Sequence, residues 1–558
     1  MRKSDFRSHQ TLTPERAREE VETHGSIRAA ARAWGCPYDT MRKRFHAADL
    51  EPEVEPELPF DPPVLDGRVK AIATREAPLP APGEVRRYIL TCAQNNTLVH
   101  EALWKNLREM ARVYDAAIMV SRFTYDVSSY GKGSVKPGKE KASDELWYDP
   151  AVAPFVADER VQLAPGLVWC GEMNILPTAV RPLSGLESYT GRQSAIVPHA
   201  KLAMDSVASG KHEATKFNYT TGTATLRNYI AKKAGLKAEF HHSYGALLVE
   251  VDSEGSWWVR QLCADSDGTI HDLDVRVQDG RLTTGHSVEA VTWGDVHTAL
   301  LDHVAAELAW GPGGLAQALS PKFQFFHDLV DFRARNHHDS KNPHARFQRY
   351  VEAADVVQDE IKRAASVLNM AREAVLSTGG KLVVVDSNHD NALERWLREA
   401  DYRLDPPNAI FFLEAQLARY RAILHRWHRF HVLEWAMQEP LRVMTGSSRP
   451  DWLRFLRQDE SFVICHDLNG GIECGMHGHL GPNGLRGAPT AFARMGRKSN
   501  TGHTHAAGIV DGCWTAGLLG KLDMDYNRGP SNWSHSHIVT HSNGKRQIVT
   551  FWKGKYRA

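Results

Sequence analysis

The segment SNTGHTHAAGIVDGC, residues 499–513, places two histidines, His503 and His505, directly after a glycine. Histidines two positions apart share one face of a strand, whereas in a turn they can point to two neighbouring ions. A lone histidine is more often a hydrogen-bonded residue than a metal ligand. Whether this pair binds metal therefore depends on what the rest of the chain supplies.

Four segments earlier in the chain share one pattern, in which an apolar run ends in acidic, amide or imidazole groups. Ligands at the carboxyl ends of successive strands converge on one edge of a sheet, where open α/β folds place their sites. The pattern therefore predicts an α/β fold with a polar cluster at that edge. The segments are VEAVTWGDVHT with Asp295 and His297, KFQFFHDLVDF with Asp328 and Asp331, KLVVVDSNHDN with Asn388, His389 and Asp390, and IECGMHGHLG with His477 and His479.

The order of these five segments resembles the calcineurin-like metallophosphoesterases, in which Asp-x-His, Asp-x-x-Asp, Asn-His-Asp, His-Gly and Gly-His-Thr-His motifs each follow a strand. The resemblance covers about residues 286–525. It implies a metallophosphoesterase β-sandwich flanked by helices. Amphipathic helical insertions at about 343–377 and 391–457 exceed what the metal core needs, and they could cap the site and select the substrate.

The resemblance also implies a ligand set for two divalent ions. A mixture of carboxylate, amide and imidazole ligands suits Mn²⁺, Fe or Zn²⁺ better than Ca²⁺; Mn²⁺ is the expected metal, with Mg²⁺ as a further alternative. A water bridging the two ions would be acidified and would attack phosphorus. The first ion would be held by Asp295, His297 and His505, the second by Asn388, His477 and His503, and Asp328 would bridge them.

His389 matches the family's leaving-group acid, and Asp390 would orient its ring. The chain departs from the family at two positions, because His327 and Ser387 stand where a glycine is usual. Both positions lie at sharp strand ends, where a backbone with positive φ could be needed. Three further histidines are alternative ligands or substrate contacts, namely His479, His337 and His338.

Residues 1–50 predict a helix-turn-helix module. Ser26 can cap the helix IRAAARAW, and GCP breaks the chain before YDTMRKRFHAA. The last helix carries Arg42, Lys43 and Arg44, which suit contacts with phosphates or base edges of DNA. The alternative is a basic helical hairpin that docks on the rest of the chain or on another protein.

Three further regions follow this module. Residues 51–84 are rich in Pro and Glu and predict a solvated linker. Residues 85–285 predict an additional α/β domain whose role the sequence does not indicate, and residues 286–558 form the predicted metallophosphoesterase domain. The second helical insertion mixes arginines with aromatics, which suits either a nucleic acid strand or contacts within the protein.

The composition excludes several classes of protein. The 68 basic and 67 acidic residues give a net charge of +1, so any attraction to nucleic acid must come from local patches. Seven cysteines without a CxxC pair argue against a disulfide framework and favour a reducing cytoplasm, that of the host if a phage encodes the chain. No apolar run resembles a signal peptide or a membrane helix, so we expect no membrane partner.

Together these features predict a metal-dependent DNase with DNA as its partner. A helix-turn-helix and a dinuclear site in one chain also resemble the pre-early host-DNA-degrading proteins of T5-like phages. Two alternatives stay open: a small-molecule phosphatase or cyclic-nucleotide phosphodiesterase, and a non-enzymatic DNA-binding protein with a degenerate metal fold. A homo-oligomer is compatible with all three.

Overall fold

The computed structural model describes residues 12–47, 73–125, 146–336, 339, 342–468, 470–524 and 526–558. Most of the predicted linker lies outside these residues, as do the candidate ligands His337 and His338. The chain divides into two compact units, Met1–Ile72 and Ala73–Ala558.

The N-terminal unit contains three short helices, α1 (Pro14–His24), α2 (Ile27–Trp34) and α3 (Tyr38–Ala47). Thr13 and Ser26 cap the first two helices, because each side chain accepts a hydrogen bond from a backbone N–H of the first turn. Glycines with left-handed backbone end both helices, which agrees with the predicted break before the third.

A small apolar core holds these three helices together. It is built around Trp34 of α2 and Met41 of α3, and both side chains are buried. Arg42, Lys43 and Arg44 are exposed on α3. The basic residues predicted to contact DNA are therefore accessible within this unit.

The larger unit is mixed α/β, as the sequence predicted. Its helices are α4 (Glu101–Tyr114), α5 (Lys233–His241), α6 (His303–Trp310), α7 (Leu315–Leu319), α8 (Pro343–Val351), α9 (Val357–Glu373), α10 (Ala392–Glu399), α11 (Ala409–Leu424), α12 (Val432–Thr445) and α13 (Pro489–Phe492). Its strands are β1 (Thr74–Glu76), β2 (Val85–Gln94), β3 (Ala116–Phe123), β4 (Arg160–Ala164), β5 (Leu167–Cys170), β6 (Ser194–Val197), β7 (Met204–Val207), β8 (Lys216–Thr220), β9 (Gly245–Asp252), β10 (Trp257–Cys263), β11 (Ile270–Asp272), β12 (Val275–Gln278), β13 (Arg281–Thr283), β14 (Ala290–Thr292), β15 (Phe323–Phe326), β16 (Lys381–Val384), β17 (Leu453–Phe455), β18 (Val463–Ile464), β19 (Ile472–Glu473), β20 (Lys498–Thr501), β21 (Gly508–Val510), β22 (Cys513–Thr515), β23 (Ser536–Thr540) and β24 (Arg546–Thr550).

A six-stranded sheet in the order β17-β16-β15-β14-β23-β24 carries the first three predicted motifs. Strands β14 to β17 are parallel neighbours, so their carboxyl ends lie at one edge. Strands β23 and β24 form an antiparallel hairpin near the end of this sheet. Gly544 occupies its turn with φ of +72°, a conformation that favours glycine.

An eleven-stranded sheet carries the last two motifs and joins the two halves of the larger unit. Its order is β1-β4-β5-β6-β8-β7-β21-β22-β20-β19-β18. The junction is the antiparallel contact of Ile509 with Met204. Residues 85–285 and 286–558, which the sequence divided at Gly285, therefore share one sheet.

The remaining sheets contain a strand–helix–strand unit at the start of residues 85–285. Parallel β2 and β3 flank α4 in the chain and pair within a four-stranded sheet, β10-β9-β2-β3. A three-stranded sheet, β11-β12-β13, also contacts α4. Apolar residues of α4 and of both sheets share one core.

The helical insertions belong to the main hydrophobic core of the larger unit. Eight residues of α9 are buried, and residues of α9, α10, α11 and α12 pack together with Phe326 and Val384 of the six-stranded sheet. Their burial gives these helices a structural role beside the predicted role of capping the site.

Candidate metal centre

Three of the predicted ligands follow neighbouring parallel strands of the six-stranded sheet. Asp295 comes shortly after β14, Asp328 after β15 and Asn388 after β16. Because these strands are parallel and adjacent, their following loops meet at one edge of the sheet.

The histidine motifs reach the same place from the eleven-stranded sheet. His477 follows β19, and His503 and His505 follow β20, the parallel neighbour of β19. Residues of both sheets, among them Phe325 and Ile472, share a hydrophobic core beneath these loops. The structure thus brings all seven predicted ligands together from five separate loops.

The first group of ligands is compact and buried. Nε2 of His505 lies 3.0 Å from Oδ2 of Asp295, and 3.1 Å from Nε2 of His297. Asp295, His297, Asp328 and His505 each offer a ligand atom, and these four atoms lie within 4.8 Å of one another. This is the set that the resemblance assigned to the first ion, together with the bridging aspartate.

The second group lies on the other side of Asp328. Nε2 of His477 is 3.3 Å from Oδ2 of Asp328 and 3.0 Å from Oδ1 of Asn388. Ligand atoms of Asp328, His477 and His503 form another set within 4.8 Å. Asp328 belongs to both groups, which is the position that a bridging ligand requires.

The electrostatics of the cluster depend on burial and on close opposite charges. Burial by itself would lower the pKa of His477, but Asp328 and Asp295 raise this pKa to about 9. Burial by itself would raise the pKa of Asp328, but His477 holds this pKa well below its usual range. The aspartates therefore stay ionised, and positive charge beside them stabilises these buried carboxylates.

Asp331 also belongs to this site, although the motif pattern gave it no predicted role. Its Oδ1 lies 2.9 Å from Nδ1 of His297, so Nε2 of that ring faces the ligand cluster. Its backbone oxygen lies 3.1 Å from Nδ1 of His389. A carboxylate that holds the far nitrogen of a ligating histidine is common at metal sites, and the Asp-x-x-Asp spacing was its signal in the sequence.

The predicted orienting role of Asp390 needs correction. Its carboxylate accepts hydrogen bonds from the backbone N–H of Val330, at 2.8 Å, and from the hydroxyl of Ser387, at 2.9 Å. It therefore supports the loop, and Asp331 contacts the ring of His389. Burial and the nearby charge of Asp328 raise the pKa of Asp390 to about 6.

Several of the candidate ligands have strained backbones. His297, Asp328, His503 and His505 all have positive φ, between +42° and +73°, which is uncommon for residues other than glycine. Such strain often accompanies functional sites. The two positions where the family has glycine, His327 and Ser387, do not have positive φ; the turn at the second motif falls on Asp328 itself.

The alternative ligands and the arginines of the second insertion are placed as follows. The half-buried ring of His479 lies 5.3 Å from that of His477, and its buried Nδ1 has no partner among the described residues. Arg419 pairs with Glu394, and Arg429 with Glu460. These two arginines therefore make contacts within the chain, which was one of the two predicted interpretations.

Comparison with known proteins places the chain in a phage family. It is 38% identical to Protein A1 of Escherichia phage T5 over 485 residues, which cover 85% of this chain and 83% of that protein. The chain belongs to the Protein A1 family. No family model matches the chain, and no solved structure does. The Protein A1 relationship agrees with the predicted likeness to proteins of T5-like phages.

The length and hydrophobicity of the described helices show whether any of them could span a membrane. None of them is both long and apolar enough to cross a bilayer.

Proposed function

We propose that this member of the Protein A1 family is a two-metal phosphodiesterase that hydrolyses DNA, and that its site is of the calcineurin-like metallophosphoesterase type. The observation that carries the proposal is the convergence of five strand-end loops on Asp328, with carboxylate, amide and imidazole groups on both sides of it. The order of these groups along the chain matches the order of the family motifs.

The donor set fits two divalent ions of the Mn²⁺, Fe or Zn²⁺ type. Nε2 atoms of His297 and His505 face each other at 3.1 Å beside the ionised Asp295, an arrangement that a shared cation satisfies better than a single proton. Asp295, His297 and His505 would hold one ion, Asn388, His477 and His503 the other, and Asp328 both. Bound ions would acidify a water molecule and neutralise charge on the phosphoryl oxygens.

His389 is placed to move a proton. Its Nδ1 contacts the backbone oxygen of Asp331, so an N–H at this position donates to the carbonyl and Nε2 is left for the substrate. Its backbone N–H donates to Oδ1 of Asp328 at 3.3 Å, and its side chain is 22% exposed. The imidazolium form can therefore protonate the leaving oxygen of the cleaved phosphodiester.

DNA is the proposed substrate because the same chain carries the three-helix unit with exposed Arg42, Lys43 and Arg44. Cationic side chains on one helix suit contacts with the phosphates of a DNA duplex. A phosphatase or cyclic-nucleotide phosphodiesterase would have no need for this unit.

The test compares polymeric and small substrates under the same metal. Purified chain is incubated with Mn²⁺ and either plasmid DNA, a panel of phosphate monoesters, or cyclic nucleotides, and product formation is followed with time. We expect DNA to be hydrolysed preferentially, and the Asp328→Asn variant to be inactive. Hydrolysis of only the small esters would overturn the proposal that DNA is the substrate. If a metal-loaded chain hydrolyses none of these substrates, the proposal that the chain is an enzyme is overturned.

A further inference from the structure

An aromatic cavity of about 610 Å³ is lined in part by Trp533, whose ring contacts His505 of the candidate metal centre. Residues from the strands of the first half of the larger unit, such as Phe217 and Trp257, line one part of it, and Trp533, Phe551 and Trp552 line another. Its volume lies within the range of roughly 300–1,000 Å³ that small-molecule sites occupy. No motif of the metal centre accounts for this cavity.

The cavity is connected to the metal centre by Trp533. The indole of Trp533 packs edge-on against the ring of His505, with ring centroids 4.3 Å apart. Tyr526 lies between Trp533, at 5.9 Å, and His389, at 6.5 Å. A row of aromatic rings therefore leads from the proposed proton donor to the cavity.

The cavity also presents cationic, carboxylate and hydroxyl groups; the carboxylates are those of Glu254 and of Glu213, which pairs with Arg192. Lys211 lies at its wall, paired with Asp523 at 3.1 Å, and Lys553 forms no ion pair within the described residues. The hydroxyl of Ser256, a residue that is 3% exposed, has no hydrogen-bond partner among them either.

We propose that the cavity binds an unpaired nucleobase of the DNA strand whose phosphodiester lies at the metal centre. This inference rests on the proposed function and deepens it. Aromatic walls stack on the faces of bases, and Lys553 can neutralise a neighbouring phosphate. A base inside a duplex is covered on both faces by its neighbours, so the cavity favours single-stranded or frayed DNA over intact duplex.

Binding is measured without catalysis, in EDTA, with a short single-stranded oligonucleotide that contains 2-aminopurine. Stacking on an indole quenches 2-aminopurine, so we expect quenching on binding by the wild-type chain. Trp257→Ala and Trp552→Ala should each weaken binding about 10-fold and reduce the quenching, because base–aromatic stacking contributes that much per base. Trp257→Phe should retain most of the effect.

The controls separate the cavity from the proposed function. Trp147→Ala removes a 42% exposed indole that does not line the cavity, and it should change nothing. Lys553→Ala should lower the slope of the logarithm of the binding constant against the logarithm of the salt concentration by about one, because one phosphate contact is lost. Unchanged binding and quenching in both Trp257→Ala and Trp552→Ala would overturn the cavity proposal even if DNA is cleaved. Normal quenching by a chain that never cleaves DNA would overturn only the proposed function.

A different surface carries a second, independent inference. Helix α11 exposes five large apolar side chains at alternating spacings of three and four residues, which is the spacing of a coiled-coil seam. They are between 47% and 76% exposed. The five residues are Ile410, Leu413, Leu417, Tyr420 and Leu424.

The opposite face of the same helix is already buried in the core, through Phe411, Phe412 and Ala415. A helix that is apolar on both faces belongs between two protein layers. Charges of opposite sign flank the middle of the seam, because Glu414 lies three residues before Leu417 and Arg421 lies four residues after it. Neither forms an ion pair within the part of the chain that the structure describes.

We infer that α11 pairs antiparallel with α11 of a second copy of this chain. A two-fold axis between Leu417 and Ala418 places Glu414 of one copy beside Arg421 of the other, whereas a parallel pair places like charges at the same level. The inferred surface is separate from the metal centre.

Sedimentation of the full chain tests this pairing. We expect an oligomer that Leu417→Glu disrupts, while Leu376→Glu, at a 53% exposed position outside the seam, leaves it intact. Glu414→Arg should weaken association at least 10-fold, and adding Arg421→Glu to it should restore association. The inference would be overturned if the wild-type chain stays monomeric, or if the double variant Glu414→Arg/Arg421→Glu fails to restore association.

Discussion

Binding of Mn²⁺ should raise the thermal stability of the larger unit, and Asp328→Asn should abolish most of that gain. Asp328 belongs to both ligand groups, so the change removes a charged ligand from both proposed ions at once. Asparagine preserves the shape of the side chain, and it relieves repulsion from Asp295 when no metal is present. The metal-free variant should therefore fold.

The size of the effect follows from two sites and from the length of the unit. An ion at about 100 times its dissociation constant stabilises the folded state by about 2.7 kcal/mol, so two ions give about 5 kcal/mol. The unit spans Ala73–Ala558, and its unfolding entropy is about 1 kcal/mol/K at about 2 cal/mol/K per residue. We therefore expect a rise of about 5 °C in the wild-type melting temperature.

Differential scanning calorimetry with and without Mn²⁺ measures this rise. Asp451→Asn is the matched control, because its side chain is 92% exposed and lies outside the ligand groups. The control should show the full wild-type shift, and Asp328→Asn less than about 1 °C by the same linkage. An equal shift in wild type and Asp328→Asn would refute the assignment of Asp328 as the shared ligand.

Two further predictions concern packing and pH. An alanine at Gly502 would place its Cβ 2.2 Å from Oδ1 of Asp295, so Gly502→Ala should weaken Mn²⁺ binding in calorimetric titrations at least about 10-fold. Gly512→Ala meets only ordinary contacts and should bind normally. Burial lowers the pKa of His199 from 6.5 to about 4, so below pH 6.5 the unfolded state binds more protons and stability falls until about pH 4. From pH 7 to pH 5 the free energy of unfolding, measured with urea, should fall by about 2 kcal/mol because of His199. An equally steep fall in His199→Gln would contradict this prediction.

Much of the site could be predicted because its chemistry is encoded locally. Each motif combines an apolar strand with a ligand just after it, and parallel neighbouring strands must deliver Asp295, Asp328 and Asn388 to one edge. The histidine pair of the opening segment, His503 and His505, then falls on two different ligand groups, as the motif order implied.

The remaining features depend on contacts between distant segments. The division at Gly285 followed the start of the motif-bearing region, but the pairing of Met204 with Ile509 unites both halves in one sheet. Asp331 and not the adjacent Asp390 contacts His389, because the direction of a side chain at a turn is set by the backbone there. The contact of Trp533 with His505 joins positions that no local pattern relates.

The central claim is that five strand-end loops form one two-ion centre, and anomalous diffraction from crystals soaked in Mn²⁺ tests it most directly. We predict two anomalous peaks, both beside Asp328. One should lie next to Asp295, His297 and His505, and the other next to Asn388, His477 and His503. A single peak, or peaks away from Asp328, would contradict the account.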